Sequence, residues 1–101
     1  MLEQKKIIEI AQKVAVANLS SSAVKSAMSE PAVDSQGREA LRITIVIEPG
    51  AAEKFKGQAV LKTLVEIQNQ LQKAGDERVP IIQYATEEDL RKLESEQGDS
   101  S

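Results

Sequence analysis

Cysteine and histidine are absent from this 101-residue chain, and its aromatic residues are a single Tyr and a single Phe. Without thiols or imidazoles there is no disulfide framework, no zinc finger or iron–sulfur site, and no histidine-dependent triad or acid–base scheme. No apolar run approaches the roughly 18 residues needed to span a bilayer. The opening Met1-Leu2-Glu3-Gln4-Lys5-Lys6 leads into a patterned amphipathic segment rather than a signal-peptide core. The expectation is a cytoplasmic protein with no cofactor and no bound metal.

What charge there is falls unevenly. The net charge of −3 comes from 13 basic and 16 acidic residues, with residues 1–75 slightly basic and residues 76–101 strongly acidic. An acidic C-terminal part repels phosphate backbones and anionic lipid surfaces, so nucleic acid and membrane are poor candidate partners. The length fits one small domain, expected over residues 1–94 with an unstructured acidic and polar tail over 95–101.

Apolar residues at Ile7, Ile10, Ala11 and Val14 recur at helical spacing and predict an amphipathic helix from Leu2 to Leu19, closed by Ser20-Ser21-Ser22. Residues 23–33 predict a bent edge strand in which Val24 and Met28 face the core and Pro31 restricts pairing. Asp34-Ser35-Gln36-Gly37 has turn chemistry. Leu41, Ile43, Ile45 and Ile47 then alternate with Arg42, Thr44, Val46 and Glu48, the pattern of a half-buried strand that ends at Pro49-Gly50. A second helix is predicted over Gln58–Ala74, with Val60, Leu64, Ile67 and Leu71 inward, Leu61, Val65 and Gln68 beside them, and Gly75 as its stop. Val79-Pro80-Ile81-Ile82-Gln83-Tyr84 predicts a third strand, and Thr86 caps a short last helix whose acidic first turn suits the helix dipole. The fold class is α+β in the order α-β-β-α-β-α. Chain direction makes the third strand parallel to the second, in a three-stranded mixed sheet with helices packed on one face.

Short motifs carry little chemistry. Ser22-Ala23-Val24-Lys25 matches the S-x-x-K of serine acyl enzymes, but the further motifs and the larger domain of those enzymes are missing. Gly50 and Gly57 bracket a loop with the wrong spacing for a phosphate loop and with Gln58 where its lysine would stand. Glu87-Glu88-Asp89, with Glu94, forms an acidic cluster, but consecutive residues at a helix start diverge instead of converging on a cation. Tyr84 is read as a core side chain with its hydroxyl at the rim.

The succession helix, hairpin, helix, then Val79–Tyr84 and acidic residues resembles the KH-like fold of bacterial ribosome-binding factor A in element order over residues 2–90. That resemblance implies RNA or ribosome association, with Lys54, Lys56 and Lys62 as contacts. The chain departs from it in lacking both a G-x-x-G and a basic surface. The stretches Val33-Asp34-Ser35-Gln36-Gly37-Arg38-Glu39-Ala40-Leu41-Arg42-Ile43-Thr44-Ile45-Val46-Ile47 and Gly75-Asp76-Glu77-Arg78-Val79-Pro80, closing at Tyr84-Ala85-Thr86-Glu87-Glu88, resemble a family of small bacterial proteins that accompany HEPN-type helical proteins. An antitoxin-like companion role in a bacterial cytosol is what that resemblance implies. The expected function is therefore a non-catalytic protein-interaction or regulatory module. It would bind another protein or itself through an uncovered sheet face at Arg42, Thr44, Val46 and Glu48, or through a strand edge. An RNA-binding module is the alternative.

Overall fold

The computed structural model describes residues 1–99. Its elements are helix α1 (Gln4–Leu19), strands β1 (Val24–Val33) and β2 (Glu39–Ile47), a 3₁₀ turn (Ala51–Lys54), helix α2 (Gly57–Lys73), strand β3 (Val79–Ala85) and helix α3 (Glu87–Asp99). The sheet order is β1-β2-β3. β2 lies antiparallel to β1 and parallel to β3, as chain direction requires. The α+β class and the element order stand as expected.

α1 and α2 share one face of the sheet. Ile7, Ile10, Ala11, Val14 and Ala15 of α1 meet Ile67 and Leu71 of α2 over Leu41, Ile43, Ile45 and Ile47 of β2, and together they form the core. Central β2 is the hydrophobic floor: Ile43 and Ile45 are fully buried. Each such side chain adds about 1.5–3 kcal/mol of burial. β1 departs from the expected facing. Its pairing shifts between Val24 and Ser26, and this irregularity turns Ala27 and Ser29 inward while Met28 is 43% exposed on the opposite face. A bulge reverses the alternation beyond it, so Val24 and Met28 do not share a side.

Turns follow their residue chemistry. Asp34 Oδ1 accepts from the backbone N–H of Gln36 and of Arg38, both at 2.9 Å, and Gly37 sits at φ 81°, a conformation open to glycine. Gly75 ends α2 at φ 97°.

The next three residues, legible in sequence only as a charged stretch, form a clasp. The Asp76 side chain is buried, and its carboxylate accepts from Arg78 Nη2 at 2.7 Å, from Arg78 Nε at 3.0 Å and from the Leu2 backbone N–H at 3.1 Å. Arg78 Nη2 in turn donates to the Leu2 carbonyl at 3.4 Å. The clasp fastens the start of α1 to the start of β3. The Arg78 hydrogen bonds hold the Asp76 carboxyl well below the usual carboxylate range, against the opposing effect of its burial.

Two expectations change at the C-terminus. The helical backbone continues to Asp99, whereas the sequence placed a structureless tail from residue 95; Glu94, Glu96 and Gln97 are good helix formers and extend a helix already nucleated at Thr86. Residues 100–101 of that tail lie outside the described residues. The second change is where α3 lies, which bears on the candidate surface.

Candidate interaction surface

The sheet face opposite α1 and α2 carries Ser26, Met28 and Glu30 of β1, Arg42, Thr44 and Val46 of β2, and Ile81 and Gln83 of β3, aligned by their pairing. This face was expected to be open, and at its centre it is closed: Thr44 is 5% exposed and Val46 3%. α3 closes it. Leu90 and Leu93 border one depression together with Met28, Arg42, Thr44 and Gln83. The helix is set there by a reciprocal cap, with the Asp89 N–H donating to Thr86 Oγ1 at 3.1 Å and the Thr86 N–H to Asp89 Oδ2 at 3.0 Å. Lys25 Nζ reaches Glu87 Oε1 at 2.9 Å and Glu48 Oε1 at 3.8 Å, joining α3 to the end of β2. The Thr44 hydroxyl accepts from Gln83 Nε2 at 2.7 Å. Of the four expected contact residues, Arg42 and Glu48 alone stay at the rim, and both are ion-paired, Arg42 with Glu30 at 2.9 Å and Glu48 with Lys25. The apolar edge of α3, Leu90 and Leu93, is turned toward this face, a placement that helical spacing alone does not dictate.

The remaining candidates are dispersed. Hydrogen bonding to Glu87, reinforced by the charge of Glu48, raises the Lys25 pKa, the reverse of what a lysine activating Ser22 would require. Lys54 lies in the 3₁₀ turn, Lys56 precedes α2, and Lys62 sits in its second turn, 3.8 Å from Glu66. The acidic residues at the start of α3 are engaged separately: Glu87 with Lys25, Glu88 with Lys92, and Asp89 with the Thr86 amide.

A different surface stands out. Beside the outer edge of β3 runs a groove of about 430 Å³ lined by Val60, Leu61 and Leu64 of α2 and by Pro80, Ile82 and Tyr84 of β3. Leu61 is 61% exposed and Val65, on the same helix, 45%. The two aromatic rings meet nearby, Phe55 against Tyr84 at 5.8 Å between centroids and 59° between planes. The Tyr84 hydroxyl is buried without a hydrogen-bond partner, and the neighbouring Thr63 hydroxyl donates to the Ala59 carbonyl at 2.8 Å. Burial pushes the Tyr84 phenol up, and Thr63 opposes that only partly. Val60 and Leu64, expected in the inner stripe with Ile67 and Leu71, are only half-buried, whereas Thr63 is fully buried. The helix is therefore rotated so that part of its apolar face looks past the sheet edge. The signal available in the sequence was a helix stripe wider than its sheet needs, next to an uncharged strand marked by proline as an edge.

The fold and this groove define a small α+β protein with an apolar recess at an open strand edge. Comparison with family models, with curated proteins and with solved structures finds no match for the chain. Among the described residues no helix is long and apolar enough to cross a membrane.

Proposed function

We propose that this chain is a non-catalytic, cytoplasmic interaction module, a companion or regulatory protein that acts by binding another protein chain through the α2–β3 groove. The observation that carries this reading is the apolar recess beside β3, with Leu61 and Val65 left in solvent; contiguous exposed apolar surface of this kind marks contact sites. The companion role implied by the resemblance over 33–47 and 75–88 agrees with it. The RNA reading draws no comparable support: Lys62 is matched by Glu66, and the two aromatic rings pack on one another and so do not form a stacking platform.

The test is quantitative co-purification from the source cells with the wild-type chain and with Leu61→Glu. The expected outcome is that the specific associations of the wild type disappear in the variant. Associations unchanged by the substitution, or turnover of a substrate by the pure protein, would overturn the reading.

A further inference from the structure

The geometry points to a second copy of this chain as an occupant of the groove, the two β3 strands pairing antiparallel about a two-fold axis at Ile82 so that two three-stranded sheets become one of six. The inference rests on the interaction reading above and names its partner and register.

The strand itself sets the register. Pro80 has no N–H to give to β2, and proline within a sheet turns that side outward at an edge. Backbone groups alternate along a strand, so Ile82 and Tyr84 also present their N–H and C=O groups to the outside. No backbone or side-chain hydrogen bond reaches those outer groups among the described residues. With Ile82 opposite Ile82 of the second copy, the two exchange both hydrogen bonds, and each Tyr84 N–H meets the Pro80 carbonyl across the axis. Every outward donor is then used. All seven residues of Val79–Ala85 are opposed, and the donor missing at Pro80 leaves nothing more than a Tyr84 acceptor without a partner.

Charge selects the partner. A two-fold interface sets residues near the axis against themselves, so any charge there meets its like. Val79–Ala85 contains no charged residue, although edge strands are commonly guarded by one. The adjoining stripe of α2, Gln58, Leu61, Val65 and Gln68, advances by alternating three- and four-residue steps and is also uncharged. Of the charges on that helix, Lys62 lies against Glu66, Glu66 Oε2 accepts from Asn18 Nδ2 of α1 at 3.0 Å, and Lys73 is in the last turn. Pairing the strands brings the two stripes together above the sheet and removes Leu61, Val65, Ile82 and Tyr84 from water on that side. Ile81, 37% exposed on the other side, is then set against Gln83.

Sedimentation equilibrium from about 1 to about 500 µM, a range that brackets weak interfaces of this size, tests the pairing on the full chain. The expected result is a monomer–dimer equilibrium whose dissociation constant rises at least tenfold in Leu61→Glu, with the far-ultraviolet circular dichroism unchanged. Because the chain has no cysteine, Ile82→Cys supplies a single thiol. Antiparallel hydrogen-bonded pairs place Cα atoms about 5.5 Å apart, too far at Cβ for an unstrained disulfide but within reach of a short bifunctional thiol crosslinker, so such a reagent yields a covalent dimer from Ile82→Cys and not from Val33→Cys on β1. A monomer throughout the range, or a dimer indifferent to Leu61→Glu and not trapped at residue 82, overturns the self-pairing. In that event the interaction reading stands or falls separately, on whether Leu61→Glu abolishes association with a different protein.

Discussion

Along its outer edge β1 lies under α1, whose Gln4 side-chain amide donates to the Ser29 carbonyl, and it carries Lys25, Glu30 and Pro31 among its ten residues. Along its outer edge β3 carries no charge and, among the described residues, no helix or side chain bonds to it. One sheet thus has one edge bonded by a helix of its own chain and one edge that, among the described residues, is left uncovered. The difference arises from the helices. α1 lies along β1 and reaches its backbone through Gln4, with its start held at the beginning of β3 by the Asp76–Arg78 clasp, whereas α2 leaves Leu61 and Val65 in solvent beside β3. A side-chain hydrogen bond and charge guard one edge while the other is neutral, the asymmetry by which sheet edges are kept from or left open to pairing.

The largest expected effect comes from breaking the clasp that holds the start of α1, the helix that lies along β1. Asp76→Ala leaves Arg78, whose side chain is 11% exposed, without its carboxylate and frees the Leu2 N–H. Removing one member of a buried ion pair costs about 3 kcal/mol or more, measurable by urea denaturation, and amide exchange across β1 should quicken as α1 loosens. The same carboxylate gives the comparison a pH dependence. Its folded pKa is depressed, so its contribution is present above the unfolded value of about 3.9 and is lost as pH falls below it. Stability should therefore decline on acidification from about pH 4, and Asp76→Asn should be less stable at neutral pH with a flatter acid limb.

Next in size is the cap on α3. Thr86→Ala removes an acceptor for the Asp89 N–H and should cost about 1 kcal/mol. Its diagnostic consequence is local: protection of Thr44 and Val46 amides should fall, because α3 borders that face through Leu90 and Leu93, while β1 protection is unchanged. Gln4→Ala removes the side-chain bond to Ser29 and should cost about 0.5–1 kcal/mol. Its exchange signature should be confined to β1, the reverse of the Thr86 result.

The sequence made the sheet legible because β2 alternates without interruption from Leu41 to Ile47, and because Gly37, Gly50 and Gly75 stand where the chain turns. What it hid depends on relations between distant residues. The reversal in β1 follows from one unpaired position near Lys25, which no periodicity announces. The cover over the Arg42–Glu48 face depends on the direction α3 takes after Thr86, where Lys25 of β1 meets Glu87 of α3 and Glu48 just beyond β2. The Asp76 clasp needs Leu2, 74 residues away in sequence. The groove was half-legible: Leu61 and Val65 were placed beside the inner stripe, but their exposure depends on a rotation of α2 that places Thr63 in the core.

The smallest stability effect belongs to the bare edge, and its smallness sharpens the comparison. Val65→Gln changes a side chain 45% exposed and outside the core cluster, and exposed substitutions of this kind stay within about 0.5 kcal/mol. If the β3 side were finished within the protomer, as the β1 side is, Val65 would have partners to lose and the urea midpoint would drop as it does for Gln4→Ala. The expected outcome is an unchanged midpoint at low protein concentration, where the chain is monomeric. At high concentration, where the second copy covers Val65, the midpoint should be lower than that of the wild type. A substitution that is silent in the monomer and felt in the assembled state locates the missing stability of this edge in the partner.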